Sequence, residues 1–155
     1  MKFNLSGNNF LTEEEIDCME EPAVNLTVLI DDNDVDLFLQ KRFMEMNRFS
    51  DNIIEFTSPI AALDYLSVKG EKEVPQVIFL DLNMPLMNGF EFLTQYEKLP
   101  VDRTKKTKIV VVTSSGNNKD KEQAFGFKSV FSFITKPFNT TNLNELRVKL
   151  EKSLK

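Results

Sequence analysis

A chain of 155 residues, 41% hydrophobic and 28% charged, has the length of one domain and enough apolar residues to bury a core. It contains no His and one Cys, which excludes an internal Ser-His-Asp or Cys-His pair, a His-ligated zinc site and an internal disulfide. The net charge of −5 offers no basic footprint for nucleic acid, and no apolar run approaches the ~18 residues of a membrane span.

The charge is unevenly placed. Residues 1–23 hold Glu13, Glu14, Glu15, Asp17, Glu20 and Glu21 against Lys2 alone, which accounts for the whole net charge. This acidic N-terminal extension (1–23) lacks strand signals. Thr12 and Glu15 form a capping-box pattern, with Leu11 placed to staple onto Ile16, so either a short helix or a mobile tail fits. It lacks the short apolar core of a secretory signal, and a reducing, cytoplasmic location is expected.

From residue 24 to 155 the punctuation is regular. Leu26 to Ile30 is a short apolar run, read as a buried strand. After an acidic turn, Val35, Phe38, Leu39, Phe43 and Met46 recur at helical spacing. Ile53 to Phe56 is a second strand. Ser58 and Pro59 then supply a helix N-cap and first position. Val77 to Leu80 is a third strand, and Phe90 to Leu99 a helix stopped by Pro100. Arg103, Lys105, Lys106 and Lys108 read as a solvated loop. Ile109 to Val112 and Val130 to Ile134 are the fourth and fifth strands, with a short helix from Lys119 to Phe125 between them. Leu143, Leu146, Val148, Leu150 and Leu154 mark a final helix.

Strands and helices therefore alternate five times. Such a pattern predicts an α/β, doubly wound, five-stranded parallel sheet covered on both faces. In such sheets ligands sit at the carboxyl ends of the strands. Those ends carry Asp31-Asp32-Asn33, Asp81-Leu82-Asn83, Thr113-Ser114-Ser115 and Lys136-Pro137.

If the first and third strands are neighbours, three carboxylates share one crevice. Their repulsion raises their pKa values or calls for a cation. An all-oxygen donor set suits Mg²⁺, which favours phosphate partners. A Lys and a Thr hydroxyl beside it complete a site fit for a phosphoryl group, with Asp81 as the best nucleophile. Each piece alone has an ordinary explanation: Asp31-Asp32 as a turn and N-cap, Thr113 as a strand residue, Lys136 as a surface charge. Their joint placement carries the reading.

These segments resemble the receiver domain of two-component response regulators. The match lies in Val28-Leu29-Ile30-Asp31-Asp32-Asn33, Ile78-Phe79-Leu80-Asp81-Leu82-Asn83-Met84-Pro85-Leu86-Met87-Asn88-Gly89, Val110-Val111-Val112-Thr113-Ser114-Ser115 and Ile134-Thr135-Lys136-Pro137-Phe138. The resemblance implies a flavodoxin-like (βα)5 fold with strand order 2-1-3-4-5, the order for which receivers are a standard example. It implies that Asp81 accepts a phosphoryl group from a histidine on a sensor kinase or histidine phosphotransfer protein, with Mg²⁺ as cofactor. Asp32 would hold the metal directly, Asp31 mainly through water, and the backbone carbonyl of Asn83 and Asp81 would complete the protein ligands. Lys136 would pair with Asp81 and then with the phosphoryl oxygens, and Thr113 would hydrogen-bond the phosphoryl group. Phe133 would be the switch aromatic that turns inward as Thr113 moves. Asn83 and Ser115 would occupy positions that tune dephosphorylation, and Lys136-Pro137 a position that is cis in the family.

The resemblance implies a phosphoacceptor that catalyses only its own phosphorylation and dephosphorylation, not an enzyme acting on other substrates. With no room left for an output domain, a single-domain receiver that binds a downstream protein target or relays phosphate is expected. Dimerisation on phosphorylation is compatible with it. The responding face is expected on the fourth helix, fifth strand and fifth helix. The region before the fifth strand departs from the family, with Lys128-Ser129-Val130 where Gly-Ala is common, and Phe125, Phe127 and Phe131 nearby. If Phe131 and Phe133 share the outward face of an edge strand, they form a partner surface. A haloacid-dehalogenase-like phosphatase would need a second Asp where Asn83 stands. A flavin-binding fold would need a phosphate loop where Asp31 to Asp34 stand. The alternative function is a degenerate receiver serving only as a protein-binding scaffold.

Overall fold

Val77, Ile78, Phe79 and Leu80 are all buried, which a strand achieves only when layers cover both of its faces. The computed structural model describes residues 3–5, 9–11, 21–68 and 74–153. In chain order the elements are β1 (Phe3–Leu5), β2 (Asn9–Leu11), β3 (Val24–Ile30), α1 (Asp34–Met46), β4 (Ser50–Phe56), α2 (Pro59–Val68) and β5 (Val77–Leu80). They continue with α3 (Gly89–Tyr96), α4 (Val101–Thr104), β6 (Lys108–Thr113), α5 (Asn118–Phe125), β7 (Val130–Thr135) and α6 (Thr140–Ser153). Five strands form one parallel sheet in the order β4-β3-β5-β6-β7. Counted within that sheet the order is 2-1-3-4-5, as expected.

The period of two along β5 divides its side chains between two cores. Ile78 and Leu80 enter one layer with Val28, Ile30, Ile109, Val111, Phe92 and Leu93. Val77 and Phe79 enter the other with Leu29, Val110, Val112, Leu143 and Leu146. In the second layer Phe79 meets the edges of Phe49 and Phe138, with ring centroids 5.9 and 5.6 Å away. Such pairs add ~0.5–1.5 kcal/mol each beyond the apolar area they bury.

Four expectations need correction. The first 23 residues do contain strands: β1 and β2 pair antiparallel, Phe3 opposite Leu11. Three-residue strands are too short for a periodic signal, although Gly7 and Asn8 between them are turn-favouring residue types. The Thr12–Glu15 capping box lies outside the described residues, as does Leu154 of the last helix. Secondly, α1 has the expected period but not the expected face. Leu37, Gln40 and Met44 point inward and Phe43 is half-buried, while Val35, Phe38, Leu39 and Met46 are exposed. The helix carries apolar residues on both sides, so periodicity alone could not choose between them. Thirdly, the basic loop includes a single helical turn, α4. Lastly, Phe131 and Phe133 do not form one outward patch. β7 is an edge strand, but its pairing with β6 shifts register between Ile109 and Val110. Phe131 packs against the second layer and Phe133 against the first, both half-buried.

Candidate functional site

The carboxyl edge of the sheet brings the four strand-end segments together. Ile30 and Leu80 are register partners, so the residues after them, Asp31 and Asp81, emerge side by side. Backbone hydrogen bonds hold both: Asp31 N–H donates to Phe56 O at 3.1 Å and Asp81 N–H to Ile30 O at 3.0 Å. Asp31 is 1% exposed and Asp81 6%, whereas Asp32 points to solvent. Carboxylate oxygens of Asp31, Asp32 and Asp81 lie within 4.8 Å of one another.

The acidic pair is not spent on capping α1. Asn33 is the N-cap, and its Oδ1 accepts from Val35 N–H at 2.9 Å and Asp36 N–H at 3.1 Å. Asn33 N–H donates to Asp31 Oδ1 at 2.9 Å. A neutral side chain thus satisfies the helix terminus and leaves the carboxylates for the crevice.

The loop after Asp81 is pinned from both ends. Leu82 and Met84 are buried, and Gly89 N–H donates to Leu82 O at 2.9 Å. A Cβ at position 89 would stand 2.8 Å from the Asp81 carbonyl oxygen, so only glycine fits this approach. Asn88 then caps α3 in a capping box with Glu91.

Lys136 reaches in from the end of β7. Its Nζ lies 2.8 Å from Asp31 Oδ2, 2.8 Å from Asp36 Oδ2 and 3.7 Å from Asp81 Oδ1. The Lys136-Pro137 bond is cis, as the resemblance implied. Burial works against the ammonium, but its bonds to Asp31 and Asp36 outweigh this and raise its pKa. Thr113 is fully buried, and its Oγ1 accepts from Asn83 Nδ2 and Ser115 N–H, both at 3.3 Å. Phe133 sits opposite Val111 in β7, half-buried.

Asp81 feels its surroundings most. Burial first, then the charge of Asp31, push its pKa up to about 6. Lys136 and the Asn83 backbone N–H pull the other way without cancelling the rise. One ammonium thus faces three clustered carboxylates. The donor set is all oxygen, crowded and under-neutralised, which fits a hard divalent cation.

Two members of the site were not foreseen. Asp36 contacts Lys136, and the buried Gln40 donates its Nε2 to Asp31 Oδ2 at 3.4 Å. Their spacing of four places both on one face of α1. That spacing was the available signal, masked by the apolar residues around it.

The sequence profile of the response regulator receiver domain matches residues 27–147. The chain belongs to the receiver-domain family. It is 30% identical over 129 residues to "Probable methanogenesis regulatory protein FilR2" of Methanothrix harundinacea, spanning 82% of this chain and 81% of that protein. Among solved structures, a response regulator receiver protein from Dyadobacter fermentans is 29% identical with a TM-score of 0.73. The match covers 81% of this chain and 97% of that one. The Mn²⁺-bound form of response regulator Rcp1 is 26% identical with a TM-score of 0.63, over 83% and 92% of the two chains. For a receiver, phosphorylation and divalent-metal binding are typical. Among the described residues no helix is long and apolar enough to cross a membrane.

Proposed function

We propose that this receiver is a competent phosphoacceptor and that Asp81 is the residue modified. The observation that carries this is the buried Asp81 carboxylate, held between the Asp31–Asp32 pair and the Lys136 ammonium. Asp32, Asp31 through water, Asp81 and the Asn83 carbonyl would hold Mg²⁺. The Mn²⁺-bound form of Rcp1 supports, by likeness, a divalent cation in this fold, and the clustered oxygens of Asp31, Asp32 and Asp81 support its place here. When bound, the cation neutralises phosphoryl oxygens as charge spreads over them.

An Asp81 carboxylate oxygen attacks the phosphorus of a phosphohistidine on a sensor kinase or phosphotransfer protein. The P–N bond breaks, and its electron pair stays on the imidazole, which takes up a proton. Lys136 then meets one phosphoryl oxygen and Thr113 Oγ1 donates to another, exchanging its Asn83 contact for the new one. Loss of Thr113 from its resting place gives Phe133 room to turn inward. The α5–β7–α6 face would report that change to a downstream protein target.

Val35, Phe38 and Leu39 on α1 are exposed, and a cleft of about 660 Å³ lined by Leu39, Phe43, Pro137 and Phe138 opens beside Lys136. This apolar surface suits docking of the phosphodonor protein. The setting would be the cytoplasm.

The test is intact mass after incubation with acetyl phosphate and Mg²⁺. One phosphoryl adduct is expected in the wild type and none in Asp81→Asn or in excess chelator. A wild type that gains no adduct and also fails to bind beryllofluoride, a mimic of the bound phosphoryl group, would leave only a partner-binding scaffold.

A further inference from the structure

Lys136 is shared unequally among the acids around it. Its Nζ is as close to Asp36 as to Asp31, at 2.8 Å, and is 3.7 Å from Asp81. An ammonium has three N–H donors, and two of them are committed on the α1 side of the crevice. Asp36 is placed for this by the start of α1: its own N–H is fixed by Asn33 Oδ1, and Gln40 one turn later touches the same Asp31 oxygen that Lys136 does. The Asp36 side chain is 34% exposed, so water can take over its hydrogen bonds when Lys136 leaves. Asp31, at 1% exposed, has no such replacement.

We propose that Asp36 is a positioning residue that holds the Lys136 ammonium toward α1 before phosphorylation. It thereby sets the cost of delivering Lys136 to a phosphoryl group. This rests on the reading of Asp81 as phosphoacceptor. Removing the Asp36 carboxylate frees one donor of Lys136 for Asp81 and for the oxygens or fluorines of an occupant there. A half-buried ion pair whose Asp36 side is open to water implies an effect of about threefold to tenfold in affinity.

The experiment measures beryllofluoride affinity in Mg²⁺ for the wild type, Asp36→Asn and Asp34→Asn. Asp34 is a neighbouring exposed acid on the same first turn with no contact to Lys136, so it controls for simple loss of negative charge. The expected result is tighter binding in Asp36→Asn by about threefold to tenfold, and a clearly smaller change in Asp34→Asn. Mg²⁺ affinity alone should be unchanged or weaker in Asp36→Asn, whereas a damaged fold would weaken both ligands. In the metal-free protein the ¹⁵Nζ resonance of Lys136 should move in Asp36→Asn and stay in Asp34→Asn. Asp36→Glu, which keeps the charge, should restore wild-type affinity. Asp36→Ser, a residue type suited to a first helical turn, repeats the test if the amide variant does not fold.

Equal affinities for Asp36→Asn and Asp34→Asn, or an unmoved Lys136 resonance, would overturn the role of Asp36. A wild type that binds no beryllofluoride would instead overturn the phosphoacceptor reading on which it rests.

Discussion

The two ends of the sheet carry opposite charge clusters, and only one of them is under electrostatic tension. At the carboxyl end Asp31, Asp32 and Asp81 crowd within 4.8 Å, two of them buried, with Lys136 as the ammonium among them. At the amino end Lys105 and Lys106 are exposed and Arg103 and Lys108 half-exposed. Lys105, Lys108 and Lys128 border a shallow cavity of about 310 Å³, with the Lys108 Nζ resting 5.4 Å from the centre of the Phe131 ring. The basic cluster is visible in the sequence as the run from Arg103 to Lys108, whereas the acidic one is assembled from separate strand ends. Burial separates them: water screens the lysines, while the strand ends hold Asp31 and Asp81 where water screens them poorly.

The largest expected effect comes from removing the cation that the acidic end depends on. Lys136→Ala leaves Asp31 buried without its ion-pair partner and should lower unfolding free energy by about 2–4 kcal/mol in chelator. Added Mg²⁺ should recover part of this. Urea unfolding with and without the metal measures both.

Next, Asp81→Asn should stabilise the protein at neutral pH. The folded-state pKa of about 6 lies above the ordinary value of 3.8, so the folded state holds the proton more tightly than the unfolded one. The resulting cost is absent below pH 3.8, grows as pH rises towards 6, and is complete above it. The amide should therefore gain up to about 3 kcal/mol at pH 7 in chelator, and almost nothing at pH 4. Unfolding midpoints at the two pH values check the sign.

Mg²⁺ itself should stabilise the wild type by about 2.7 kcal/mol at one hundred times its dissociation constant. Asp32→Asn should lose most of that stabilisation, as read by thermal unfolding against metal concentration. The smallest effect belongs to the other end of the sheet. Lys105→Ala and Lys128→Ala should each change stability by no more than about 0.5 kcal/mol. A change there as large as that of Lys136→Ala would erase the contrast between the two ends.

What the sequence made legible follows from what each signal depends on. The central strands were plain because a run such as Val77 to Leu80 has no polar residue to dilute it, and all four residues are buried. Asp31, Asp81, Thr113 and Lys136 could be placed together because strand ends in a parallel sheet share one edge. The inward face of α1 was not legible, since Phe38 is as apolar as Leu37 and only packing decides that one is 66% exposed and the other buried. Asp36 escaped notice because an acid in a first helical turn usually needs no explanation beyond the helix dipole. The separation of Phe131 from Phe133 depends on a register shift in β7, which simple alternation does not encode.

The tension at the carboxyl end is proposed to serve phosphoryl acceptance at one carboxylate, Asp81. That role is tested most directly by phosphorylating the wild type with acetyl phosphate and Mg²⁺, reducing the acyl phosphate with borohydride, and mapping the product by peptide mass. A single reduced residue is expected, at position 81. Reduction at Asp31, Asp32 or Asp36 instead, or scattered over several acids, would contradict it.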